Sequence, residues 1–246
     1  MTKLYIDVGH GGADAGAVGI NNIEEEDINL AVAKYLRTEL EWQGINVMIS
    51  RTDDTAKKNS VKAKEANDWG ADAVCSIHCN AYDKEDANGT EVLIFKKGGN
   101  AEKLAKKVLS QLLSVLKTTN RGIIERSELT ILKNTVAPAI LCEIAFVTNK
   151  KDKEKIDEAN EQKAVAIAIC KGICEHFGIT YRKREETKMN KTKFKDESKM
   201  SKWAINSIVK VSEAGIMNGD TDGNFRPKDP VTREELAVVI SNLLNK

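Results

Sequence analysis

Leu4-Tyr5-Ile6-Asp7-Val8-Gly9-His10-Gly11-Gly12 is a short apolar run that breaks into glycines around a histidine. Such a run, bounded by a turn signal, reads as a buried strand. The segment after it decides the class: across Glu26–Gln43 the residues Ile28, Val32, Tyr35, Leu36 and Leu40 recur on one helical face. The alternation continues, with strands expected at Asn46–Ser50, Ala73–His78, Glu91–Phe95 and Ala139–Ile144. Helices are expected at Val61–Trp69, Ala101–Leu116 and Asn160–Phe177, the last closed by Gly178. Alternation from residue 3 to about 178 predicts an α/β fold with a mixed, mostly parallel sheet and helices on both faces. In that architecture ligands gather beyond the carboxyl ends of strands.

Three chemistry-bearing residues lie at or just after such ends. The chain has three histidines, and two of them, His10 and His78, stand where the first and third strands stop. Glu143 closes the apolar run Ala139-Ile140-Leu141-Cys142, and Glu25 opens the first helix. Two imidazoles, one carboxylate and an open fourth position form the usual ligand set of a catalytic zinc. A separate buried carboxylate is what such a site needs to move protons. Each residue also has a plainer reading: His10 as a turn residue, His78 as a core histidine, Glu143 as half of a structural ion pair. Burial should raise the Glu143 pKa and a nearby cation should lower it; sequence does not say which wins. Asp14 and Asn80 are candidates for shaping the site or bonding substrate amides, and capping or turn roles explain them equally well. His176, near the end of the last helix, has no motif around it.

Composition excludes several classes. A formal net charge of +1 over 246 residues carries no polyanion-binding signature, so nucleic acid is not an expected partner. No apolar run approaches the ~18 residues of a membrane span. The N-terminus reaches Asp7 too early for a secretory signal, so work outside the cell would need another route of delivery. The five cysteines are expected in the core: Cys79 and Cys142 neighbour His78 and Glu143 and so face the opposite side of their strands, while Cys170 and Cys174 join Ile167 and Phe177 in one helical stripe.

Three domains are read from the pattern: residues 1–178, a charged, aperiodic linker at 179–193, and a small, mainly helical unit at 194–246. In the tail a helix is expected over Trp203–Ala214 and another after Thr232, with Glu235 as its capping-box partner. Between them Asn218, Asp220, Asp222, Gly223, Asn224 and Asp229 fall near the spacing of a calcium-binding loop. The uncharged first position, the short Asp at the last and Pro227 within the loop argue against calcium.

Six segments in order resemble the zinc-dependent N-acetylmuramoyl-L-alanine amidases called amidase 3. They are Asp7 to Gly16, Glu25-Glu26-Asp27-Ile28-Asn29-Leu30, Arg51-Thr52-Asp53-Asp54, Ser76-Ile77-His78-Cys79-Asn80-Ala81, Gly89-Thr90-Glu91-Val92, and Ala137 to Asn149. The resemblance covers roughly residues 3–177. It implies His10, Glu25 and His78 as ligands of one Zn2+, Glu143 as catalytic acid and base, and peptidoglycan as substrate. The triple Glu24-Glu25-Glu26 leaves that ligand open by one position, and spacing to Asp27, Asn29 and Leu30 favours Glu25. Where the family often has an arginine before an Ala-Asn pair, this chain has Lys62 and Lys64 before Ala66-Asn67. The tail is similar to one S-layer homology repeat, in Trp203 to Ile208, Gly215-Ile216-Met217-Asn218-Gly219, Asp222 to Pro227, and Val231 to Glu235. That implies binding to a secondary cell-wall polymer, with Trp203, Asp222 and Arg233 as candidate contacts. Such repeats usually come in threes, so the single one here points to a homo-oligomer formed through the tail. The combination resembles a phage endolysin of a clostridium-like host, with a host autolysin as the nearer alternative. A zinc peptidase or deacetylase, and a wall-binding protein with an inactive hydrolase unit, are the rival readings; intact Glu143 with all three ligand candidates argues against the latter.

Overall fold

The structure, a computed structural model, describes residues 1–84, 86–184, 192–201 and 204–244. The chain divides into two compact units, Met1–Arg184 and Glu185–Lys246.

The first unit is built on a six-stranded sheet: β1 (Lys3–Val8), β2 (Asn46–Ile49), β3 (Ala73–Asn80), β4 (Thr90–Ile94), β5 (Asn120–Glu125) and β6 (Ala139–Phe146), in the order β2-β1-β3-β6-β4-β5. All neighbouring pairs are parallel except β4–β6. The helices are α1 (Glu25–Trp42), α2 (Asn59–Trp69), α3 (Asn100–Leu116), α4 (Thr130–Asn134), α5 (Lys150–Lys153) and α6 (Ala159–His176). Side chains alternate across each strand, so the sheet feeds two apolar layers. Leu4, Ile6, Val8, Cys75, Ile77, Ile140 and Cys142 pack under α1, α3 and α6. Tyr5, Val74, Leu93, Ala139 and Leu141 pack under the shorter α2 and α4. The mixed, mostly parallel sheet with helices on both faces is the expected one. All five cysteines are buried and free. Gly178 follows the last helix at φ 67°, as its C-terminal position requires.

The thinner layer matters for function. It carries Asp7, His78, Glu91 and Glu143 in the same alternating rows as Tyr5, Val74, Leu93 and Leu141. His78 is in register with Glu143 on β6, and Glu143 with Glu91 on β4, so the three stand side by side across the strand ends.

Residues 179–184, expected as the start of the linker, belong to the first unit. Ile179 and Tyr181 pack against the main core, and Gln43 and Arg182 exchange two hydrogen bonds, Gln43 Nε2 to the Arg182 carbonyl at 2.9 Å and Arg182 N–H to Gln43 Oε1 at 2.8 Å. Arg184 Nε is 3.3 Å from Glu39 Oε1. A polar, highly charged and aperiodic sequence made this stretch read as linker, but two apolar side chains and partners on α1 and its C-cap hold it to the first unit. Residues 185–191 lie outside the described ones.

In the second unit, α7 (Ile205–Glu213) and α8 (Arg233–Leu244) flank a turn-rich segment. Phe194, Met200, Ile205 and Ile208 form a small core, and the Asp196 carboxylate accepts from the Phe225 and Arg226 N–H groups, each at 2.9 Å. The capping box forms: Glu235 N–H donates to Thr232 Oγ1 at 3.1 Å, and Thr232 N–H to Glu235 Oε2 at 2.8 Å. The calcium-like loop is held from within. Asp220 Oδ1 accepts from Asp222 and Asn224 N–H, and Arg226 reaches Asp220 and Glu235, so a guanidinium stands where a cation would need the carboxylates. Among the described residues no helix is long and apolar enough to cross a membrane.

Candidate metal centre

Glu25 sits in the first turn of α1, where the helix dipole favours negative charge. Its side chain is buried and surrounded by donors. Oε1 accepts from His78 Nδ1 at 3.0 Å, Cys79 N–H at 2.9 Å and Asn29 Nδ2 at 3.2 Å. Oε2 accepts from Ala17 N–H at 3.0 Å and lies 3.2 Å from His10 Nε2. His10, Glu25 and His78 each present a ligand atom, and these atoms lie within 4.8 Å of one another. Glu24 precedes the helix, and Glu26 is buried elsewhere, its carboxyl raised by burial and by the neighbouring Asp54.

Two glycines keep this space clear. A Cβ on Gly16, whose φ is +68°, would stand 2.6 Å from His10 Cδ2 and 2.7 Å from Glu25 Oε2. A Cβ on Gly9 would meet the His78 ring at 2.4 Å. Asp14 Oδ2 holds His10 Nδ1 at 3.0 Å, which orients the imidazole so that Nε2 faces Glu25. A carboxylate behind a histidine is the usual support of a metal ligand. The donor set, two imidazole nitrogens and one carboxylate, suits zinc.

The close approach of Glu25 shifts the titration of both imidazoles. The hydrogen bond to Glu25 pushes the His10 pKa up to about 9 against the opposing effect of burial. Burial lowers the pKa of His78, but Glu25 and Glu143 outweigh it and leave it raised. Burial likewise opposes ionisation of Glu25, yet the hydrogen bonds from both imidazoles hold its carboxyl well below the usual range.

Glu143 stands beside this cluster on the next strand. Burial raises its pKa to about 7; His78 opposes the shift, and Glu25 and Glu91 add to it. Its Oε2 is buried and has no hydrogen-bond partner among the described residues. A carboxyl with one unengaged oxygen and a pKa near neutrality can both take and give a proton.

Asp14 and Asn80 are both committed to neighbours. Asp14 supports His10 and accepts from Gly16 N–H at 3.2 Å. Asn80 Nδ2 donates to Glu91 Oε1 at 3.0 Å, and its Oδ1 accepts from Ala81 N–H at 3.0 Å. His176 packs edge-on against Phe177 at the end of α6, away from these contacts. In the second unit Asp222 and Arg233 are exposed, and Trp203 lies outside the described residues. The sequence marked Arg51 only as part of a motif and Lys62 only as a supporting position, and both brace the centre. Arg51 Nη2 donates to the Gly9 carbonyl at 3.1 Å and the Glu26 carbonyl at 2.9 Å, tying β1 to α1. Lys62, 1% exposed, donates to the Val8 carbonyl at 2.7 Å and pairs with Asp7 at 2.8 Å.

Residues 4–175 match the N-acetylmuramoyl-L-alanine amidase family, and residues 193–237 match the S-layer homology domain. A Bacillus subtilis protein called uncharacterized protein YqiI is 38% identical over 71% of this chain and 84% of its own length. The N-acetylmuramoyl-L-alanine amidase CwlM of Bacillus licheniformis is 29% identical over 90% of this chain and 87% of its own. Among solved structures, an N-acetylmuramoyl-L-alanine amidase from Clostridium difficile 630 superposes with a TM-score of 0.69 at 36% identity, over 72% of this chain and 97% of that one. With the family match spanning the whole sheet and every residue of the His10–Glu25–His78 cluster, the chain belongs to the N-acetylmuramoyl-L-alanine amidase family.

Proposed function

We propose that the protein is a zinc-dependent peptidoglycan amidase that hydrolyses the amide between the lactyl group of N-acetylmuramic acid and the L-alanine of the stem peptide. The observation that carries this reading is the convergence of His10, Glu25 and His78 beside Glu143, whose Oε2 is buried without a hydrogen-bond partner among the described residues. Those three residues would hold the zinc, which supplies Lewis acidity towards water and the lactyl carbonyl. Glu143 takes a proton from the attacking water at Oε2 and returns it to the amine nitrogen of the leaving L-alanine. Asp14 fixes the His10 ring, and Gly9 and Gly16 leave room for the His78 and His10 rings and the Glu25 carboxylate. The second unit would tether the enzyme to a secondary wall polymer, with Trp203, Asp222 and Arg233 as contacts, and would bring copies of the chain together. A lytic unit and a wall-binding unit on one chain fit an endolysin.

The test is metal analysis of the purified chain combined with product analysis of digested walls. About one zinc per chain and new N-terminal alanine are expected. New N-termini at other residues, or free amino sugars, would overturn the amidase assignment in favour of a peptidase or a deacetylase.

A further inference from the structure

Glu91 lies directly opposite Glu143 across the antiparallel β4–β6 pair, yet both its oxygens are engaged. Oε1 accepts from Asn80 Nδ2 at 3.0 Å and Oε2 from Arg121 Nε at 2.7 Å. Arg121 occupies the irregular step of β5, between Asn120, paired with Thr90, and Gly122, paired with Glu91. Such bulges re-aim a side chain. Its guanidinium carbon lies 5.0 Å from the centre of the Phe146 ring. One side of the guanidinium is thus fixed by Glu91 and its position by Phe146. The side chain is still 40% exposed, and its Nη1 has only a long contact, 3.5 Å, to the Asn88 carbonyl. An arginine anchored at Nε with its Nη groups accessible is a pre-organised receptor for a carboxylate.

The order β3-β6-β4-β5 puts Arg121 and the His10–Glu25–His78 cluster on opposite sides of Glu143. Glu143 protonates the leaving amine, so the peptide extends from Glu143 away from the cluster, towards β4 and β5. The second residue of a stem peptide is a glutamate joined through its γ-carboxyl, and its α-carboxyl is either a free acid or an amide. We propose that Arg121 binds that free α-carboxylate, with Glu91 and Asn80 as positioning residues, and makes the enzyme prefer acid over amidated stems. This rests on the amidase reading above.

The test uses the full chain with zinc and two muramoyl-peptides that differ only in acid or amide at that carboxyl. The wild type is expected to favour the acid about tenfold in kcat/KM, the scale of one charge-assisted hydrogen bond. In Arg121→Ala the ratio should fall to within about twofold, and Arg121→Lys, lacking the planar fork, should fall between. Equal cleavage of both by the wild type, or equal losses on both in Arg121→Ala, overturns the proposal. Calorimetric binding of the dipeptides L-alanyl-γ-D-glutamate and its α-amide to the same chains is a second readout. Tighter binding of the acid by the wild type but not by Arg121→Ala supports the receptor, and equal binding in both chains rejects it. A wild type that cleaves neither substrate refutes the amidase reading, and the dipeptide result still decides on Arg121.

Discussion

At the scale of single residues, metal-side and proton-side groups should separate cleanly. His78→Ala is expected to lose both zinc and activity, because it removes a neutral nitrogen from a set of three. Glu143→Gln should keep about one zinc per chain while turnover falls by roughly 100-fold or more. Metal analysis beside wall-lysis rates checks both, and near-normal lysis by Glu143→Gln would refute its role. The imidazoles also predict a pH dependence. They bind metal only when neutral, and the His10 pKa rises from 6.5 to about 9 in the metal-free protein. The metal-free state therefore carries protons that binding must expel, and zinc affinity should climb with pH until about 9. At an ordinary value the climb would end near 6.5, so chelator competition in which affinity has already levelled off by pH 7 would contradict the assignment. His10, His78 and Glu143 stood out in the sequence as candidates because glycines or apolar runs isolate them at strand ends. Glu25 stood out only to within one position, since three adjacent glutamates look alike until the start of α1 buries two of them and turns only Glu25 towards the histidines.

At the scale of elements, two replacements test how the site is held. Lys62 joins α2 to the end of β1 through a fully buried pair with Asp7. Lys62→Ala strands the Asp7 carboxylate, and the loss should be about 3–5 kcal/mol in urea unfolding. A loss under about 1 kcal/mol would mean that the Asp7–Ser76 hydrogen bond suffices. Gly16→Ala should act differently, placing a methyl against His10 and Glu25 at a φ of +68°. Zinc affinity should fall well before the fold does, as a thermal melt beside a zinc titration would reveal. The longer strands and helices announced themselves by periodicity, but β5 did not. It is an edge strand, half polar, with Gly122 inside, and only Ile123 and Ile124 give it apolar character. Arg121 was invisible for the same reason, and Glu91 drew notice only as part of a motif: their roles come from pairing 30 residues apart, which no local pattern encodes. The charged run at 179–184 misled in the opposite direction, because its partners Glu39 and Gln43 lie on α1 and its C-cap, far back in the chain.

At the scale of the whole molecule, the two compact units predict separable tasks. Residues 1–184 alone should fold and cleave soluble muropeptides while binding intact walls less well than the full chain. Equal wall binding by both, in a pelleting assay, would remove the targeting role from the tail. The tail also has unfinished apolar surface. Ile205, Ile208 and Val209 on α7 are buried, whereas α8 has no buried residue at all. Leu236, Val238, Ile240 and Leu243 are 47%, 60%, 48% and 53% exposed. Scattered apolar residues need no explanation, but Leu236, Ile240 and Leu243 recur at helical spacing and form one contiguous face that water disfavours, with Val238 on the other side of the helix. One repeat of about 50 residues is too small to cover that face itself. Copies of the chain, each bringing the same α8, can cover it together by cyclic symmetry. Light scattering on the full chain at tens of micromolar should therefore give a multiple of 27.1 kDa. The double variant Leu236→Glu, Ile240→Glu should return the mass to one chain without changing turnover on soluble muropeptides. A wild-type mass of one chain at that concentration would refute assembly and leave α8 for the wall polymer itself.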